Sequence, residues 1–270
     1  MTTTARIAAV DPGEECNRSA VEVVTPGQHS LPRSVFLHLM PGVALVSFVL
    51  LTAPTVESWG LPALFALLLG IGVVIAPLEL GYLSIQAHRE TGSWSPLAVV
   101  DYRTRLPLRR LILLGAALAA FMLAFVVVHL LVLDRLISPL FAWMPSTLYQ
   151  FAAIEEGTDP LTGGAFAVMV VAVLVLNGIV GPVTEELYFR GHLLPRIDRF
   201  GRLAPVLNTV LFTLYHLWTP WRWPQVLFGS LPANWLAWRE RTVWLPMFTH
   251  VAVNLLFSLL LIASYLQAVS

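Results

Sequence analysis

The chain has one cysteine, no lysine and few charges of either sign, and each scarcity excludes something. The lone Cys16 sits in the polar N-terminal tail. It rules out an intrachain disulfide and any metal site that needs two or more cysteine ligands from this chain. Nor does it follow the apolar run of a lipoprotein signal. All 16 basic residues are arginine, and the 16 acids bring the formal net charge to zero. Neither a nucleic-acid partner nor a polybasic membrane patch is therefore expected. Only 12% of residues are charged, against about 25% in soluble domains. The hydrophobic share is 57% and the mean hydropathy +0.75. Such a chain is an integral membrane protein. Residues 1–33 lack a basic stretch followed by an apolar one, so no cleavable signal peptide is expected. With Pro26, Gly27 and scattered acids, they form a flexible polar tail on the cytoplasmic side.

What is abundant is apolar sequence. Apolar, nearly charge-free runs long enough for spanning helices fall at about 35–53, 59–82 (with Pro77 and Glu79 near its end), 110–133, 163–181, 203–219, 223–238 and 243–267, with a short helix at about 182–197. The fold class is an all-α, polytopic membrane helical bundle of about eight membrane segments. No internal repeat or low-complexity stretch divides it, so residues 34–270 form a single membrane-embedded domain. Arginines cluster at 89–110, at 196–202 and at 239–241. All three clusters reach the cytoplasmic side if the fourth run and the short helix after it make one crossing, broken at Gly181-Pro182. The tryptophans at 218, 221, 223, 235, 238 and 244 sit at helix ends, as an aromatic belt would. The 134–162 link reads as an interfacial segment on the outer face.

One stretch breaks the apolar pattern. Glu185, Glu186 and Arg190 directly follow a long apolar run, and each charge costs about 2.5–3.5 kcal/mol at the bilayer centre on insertion scales. On a helix Glu186 and Arg190 are four apart and pair on one face. Glu185 points about 100° away and faces something else. His216 ends the run Phe212-Thr213-Leu214-Tyr215-His216, and His250 and Asn254 share one stripe of the last apolar helix. Two polar groups on one such stripe need partners inside the bundle. His38 and His129, whose helices offer no second polar group at helical spacing, read as packing residues, and His192 as interfacial.

Glu185, His216, His250 and Asn254 are thus the convergent candidates. A desolvated carboxylate, two imidazoles and an amide suit hydrolysis: the acid takes a proton from water, one histidine orients it or protonates the leaving amine, and the others donate to an oxyanion. The same glutamate and histidines would alternatively hold a metal with an open position, although no HExxH signature is present. Spacing leaves both open.

Taken together, Glu185-Glu186-Leu187-Tyr188-Phe189-Arg190, Phe212–His216 and His250–Asn254 resemble the EExxxR, FxxxH and HxxxN motifs of the CPBP (Abi) family of intramembrane proteases. That family includes the CAAX prenyl endopeptidases and bacteriocin-processing or self-immunity proteins. Arg241–Pro246 also looks like the family's usual lead-in to the last motif. The resemblance covers about 163–260. It implies an intramembrane endopeptidase acting on a membrane-associated or lipidated protein or peptide, in the plasma membrane of a prokaryote. Glu185 would be the water-activating residue, helped by His216. His250 and Asn254 would form the oxyanion site, with Glu186 and Arg190 in support and neither metal nor other cofactor. A non-catalytic immunity or partner-binding protein and a zinc metalloprotease are the alternatives.

Overall fold

The computed structural model describes residues 27–149, 161 and 163–268. The chain is all-helical; among the described residues the only strand-like pairing is a bridge between Arg103 and Thr242. Seven longer helices follow in order: α1 (Leu31–Ser58), α2 (Leu64–Thr91), α3 (Leu108–Phe141), α4 (Gly163–Leu193), α5 (Ala204–Tyr215), α6 (Trp223–Glu240) and α7 (Trp244–Ala268). Five of them, α1–α4 and α7, are long and apolar enough to cross a membrane. The 12 residues of α5 rise only about 18 Å, short of a hydrocarbon core of about 30 Å. The tail expected over 1–33 lies mostly outside the described residues. Its last part is tied down: Gln28 Nε2 donates to the Pro195 carbonyl at 3.0 Å and the His29 amide to that of Arg196 at 2.8 Å. Ser30 then caps α1, accepting from the Arg33 amide.

The break expected at Gly181-Pro182 is absent, and the short helix expected after it is the second half of α4. Gly181 keeps helical angles (φ −55°, ψ −61°). Instead α4 widens into π-helical turns at Val173–Val180 and Glu186–Leu193, either side of a five-residue α segment. Proline lacks an N–H and its ring crowds the carbonyl one turn back; a wider turn ahead of it relieves both. The same device precedes Pro77 in α2, at Ile71–Ile75. In an apolar surround, opening the chain would expose unpaired backbone groups, so widening is the cheaper solution.

The three arginine clusters do converge on one end of the bundle. Arg196 pairs with Asp101 (2.6 Å) and Glu90 (3.2 Å), Arg241 with Asp198 (2.8 Å), and Arg110 with Glu240 (2.8 Å). Backbone bonds join the same pieces: the Val243 amide to Tyr102 and the Thr104 amide to Arg241. Arg241 ends α6 in the left-handed region (φ 52°), uncommon for a non-glycine. At the opposite end the Tyr265 hydroxyl meets the Leu161 backbone, and Phe141 lies edge-on to Trp223. The helices therefore alternate in direction. Trp218 and Trp221 are buried within the protein and do not belong to a belt; Trp143 is exposed. Residues 150–160 and 162 of the expected outer link lie outside the described residues.

α1 packs directly against the end of α5. A Cβ added at Gly42 would run into the Tyr215 carbonyl and ring, whereas one added at Gly229 in α6 meets nothing. Gly42→Ala should cost about 1–3 kcal/mol through forced overpacking. Gly229→Ala should be neutral or mildly stabilising by removing a flexible helical residue. Melting temperatures of the two variants in detergent check the contrast.

Candidate active site

The polar residues lie at stepped depths below the arginine-rich end. Counting helical rise, His250 is roughly 9 Å, Glu185 roughly 12 Å, and Tyr215 and Glu79 roughly 18 Å from the helix ends there. All are flanked by apolar helix, so what each charge touches decides its state.

The two adjacent glutamates part as the helical spacing predicts. Glu186, buried at 2% exposure, forms an ion pair with Arg190, Oε1 to Nη1 3.2 Å, and the same oxygen accepts from His250 Nδ1 at 2.9 Å. Arg190 is itself enclosed. Its Nε donates to Asn234 Oδ1 at 3.0 Å, and its guanidinium lies over the Phe212 ring, 3.9 Å from the centroid. Asn234 in turn donates to Thr209 Oγ1 at 2.9 Å. Glu185 takes no part in this network. Its Oε1 accepts one hydrogen bond, from the Tyr215 hydroxyl at 3.2 Å. A π-helical turn starts at Glu186, and such turns recur at functional sites.

His216 caps α5 where the helix stops (φ −75°, ψ 54°). Its Nδ1–H goes to the Phe212 carbonyl at 2.8 Å, which leaves Nε2 as the nitrogen available to a ligand. Its ring is wedged edge-on against Phe212 and Tyr215. The irregular backbone that follows is paired: the Thr219 amide and the Trp223 indole both donate to the His216 carbonyl. Irregular backbone at such depth is tolerated where it is enclosed by protein or lines a polar cavity.

Of the residues singled out in the sequence, His250 comes within electrostatic reach of both Glu185 and His216. Asn254 sits one turn further along α7. It donates to the Asn177 carbonyl at 3.0 Å, so one of its two amide hydrogens is committed to α4. Among the described residues no group of three or more His, Cys, Asp or Glu side chains is placed to hold a metal ion. His38 packs as expected, donating to the Ser34 carbonyl at 2.7 Å and accepting from Asn208 at 3.0 Å. His129 does have a polar neighbour on its own helix. A π turn brings Asp134, five residues on, to 3.6 Å. His192, expected at the interface, is fully buried and bonds the Val99 carbonyl at 2.9 Å.

Four residues of the site escaped the sequence reading: Glu79, Asn177, Tyr215 and Asn234. Tyr215 lay inside a quoted motif without a role. Asn234 is a single amide on an otherwise unremarked helix, and Asn177 one in the apolar run ahead of the glutamates. Glu79 is one acid in an apolar run, and its isolation was the available clue.

Residues 167–256, the stretch that carries every one of the motif residues, match the family model described as "Type II CAAX prenyl endopeptidase Rce1-like". Over that stretch, a third of the chain, the sequence is similar to the CPBP, or CAAX protease, family. No curated protein and no solved structure matches the chain. Five helices long and apolar enough to cross a membrane, together with the similarity to this protease family, point to an integral membrane protein.

Proposed function

We propose that the protein is an intramembrane endopeptidase that hydrolyses a peptide bond of a membrane-associated or lipidated protein or peptide, with a water activated by Glu185. The observation that carries this reading is the division between the paired glutamates. Glu186 is spent on Arg190 and His250, while Glu185 holds a single hydroxyl contact and is left for chemistry. Glu185 takes a proton from water as the oxygen attacks the scissile carbonyl. His250, fixed through Nδ1 by Glu186, and the uncommitted amide hydrogen of Asn254 serve the oxyanion. The proton held by Glu185 then passes to the leaving nitrogen, with His216 Nε2 positioned to orient the water. The prenyl endopeptidases that the family model describes supply the substrate class. The arginine-rich end faces the cytoplasm under the positive-inside rule, which puts the N-terminus there too. Eight segments in a single domain of a prokaryotic plasma membrane is the arrangement to test by topology mapping. A non-catalytic immunity protein would have no need of this constellation.

Comparing membrane proteomes of cells carrying the wild type and Glu185→Gln tests the function. Uncut proteins should accumulate in the variant, and identical proteomes would refute it. A zinc mechanism needs three converging donors, which the described residues do not supply. Treatment of the purified protein with a strong chelator should therefore leave cleavage unchanged, and loss of activity restored by added zinc would reverse that assignment.

A further inference from the structure

α2 carries a carboxylate that the proposed chemistry does not use. Glu79 is fully buried, and neither of its oxygens has a partner at hydrogen-bonding geometry. α2 packs here against the Gly181–Glu185 segment of α4 and the turn after it, with the Tyr82 and Tyr188 rings edge-on at 5.8 Å. The ionisable groups facing Glu79 are Glu185, Arg190 and Tyr188 on α4 and Tyr215 on α5. Tyr188 has its proton engaged with the Leu37 carbonyl at 2.8 Å. That leaves Tyr215, whose hydroxyl comes close to Glu79 while donating to Glu185.

Two counts fix the state of this acid. The first is charge. The cations beside these acids are Arg190 and, when protonated, the partly buried His250, and both are paired with Glu186. Glu185 and Glu186 already match them, so an ionised Glu79 would be an uncompensated charge beside another carboxylate in an apolar interior. Two buried carboxylates so placed do not both ionise. The second is hydrogens. A phenol has one to give, and Tyr215 gives it to Glu185. Towards Glu79 it offers only a lone pair, which a protonated acid can use and a carboxylate cannot.

We propose that Glu79 is a positioning residue of this site: a neutral carboxylic acid that donates to the Tyr215 oxygen and so keeps the Tyr215 proton aimed at Glu185. The chain of donation runs from Glu79 to Tyr215 to Glu185. Removing its first member lets the hydroxyl rotate, and Glu185 loses the contact that orients its carboxylate towards water. The proposal rests on Glu185 being the residue that activates water, and its test separates the two.

The full-length protein in lipid vesicles is assayed on a membrane-bound reporter that it cleaves. Glu79→Gln keeps a donor of the same reach and should retain activity close to wild type. Glu79→Met keeps the length without the donor and should lower kcat about tenfold or more at unchanged KM. Tyr215→Phe should do the same, and the double variant should be no worse than either. Because the methionine replaces a buried acid by an apolar group, it should melt no lower than wild type. Equal activity of Glu79→Met and Glu79→Gln, or equal loss in both, would overturn the role. Infrared spectroscopy gives a readout that needs no turnover. The carbonyl stretch of a protonated carboxyl should be present in wild type and in Glu185→Gln, and lost in Glu79→Gln. Its absence from wild type, or persistence in Glu79→Gln, would overturn the neutral state. If instead Glu185→Gln still cleaves, the catalytic reading of Glu185 fails while the infrared assignment of Glu79 stands.

Discussion

Glu185→Gln should yield a folded, membrane-inserted protein whose cleavage rate falls about a hundredfold to ten-thousandfold, the range general-base groups contribute. The geometry makes this a clean substitution. Glutamine has the same shape, and its amide oxygen still accepts from Tyr215. The buried ion pair is untouched, because Arg190 and His250 are bound to Glu186. The change also removes a carboxylate that makes no direct ion pair, so the melting temperature should hold or rise. Kinetics of the purified variant beside its thermal melt read both effects. Cleavage at the wild-type rate would sink the assignment of Glu185, and loss of folding would show that its charge is part of the scaffold.

Glu186→Gln should behave the opposite way, with stability falling first. Arg190 would keep only Asn234 and the face of Phe212 as partners, at 1% exposure. Removing one member of a buried pair costs about 3–5 kcal/mol, because the other charge stays behind unpaired. The double variant Glu186→Met/Arg190→Met should recover most of that loss, since no charge is stranded. It should not recover activity, because His250 loses the carboxylate that holds its Nδ1 at 2.9 Å. Melting curves of the single and double variants, with cleavage measured on the folded fraction, separate scaffold from chemistry. Little change in stability for the single variant would show that Arg190 reaches water.

The site was legible in sequence where its logic is local. Four-residue spacing put Glu186 and Arg190 on one face and left Glu185 alone, and the structure keeps both features. The grouping of the arginines at one end also followed from where they interrupt the apolar runs. What depended on another helix was not legible. Nothing near Glu79 tells that Tyr215 will pack above it, and nothing near Asn234 tells that it will cap Arg190 from a helix 44 residues on. The expected break at Gly181-Pro182 failed for a different reason. A proline states that one hydrogen bond is missing, not whether the helix opens or merely widens, and the apolar surround decided for widening. His192 misled because a histidine near a helix end looks the same in sequence whether it faces headgroups or the Val99 carbonyl.

The knot of ion pairs and backbone bonds at the arginine-rich end has a mechanical consequence. Asp101, Tyr102 and Thr104 from the link before α3, Arg196 and Asp198 from the turns after α4, and Arg241 at the head of α7 are joined there. Helices clamped at one end and loosely tied at the other behave as cantilevers, with displacements that grow along their length. Among the described residues the far-end contacts include Tyr265 with Leu161 and Phe141 against Trp223. Glu185 and His250 stand about 9–12 Å from the clamped end. Thermal bending of the free ends therefore displaces these two groups less than the parts of α4 and α7 that lie beyond them.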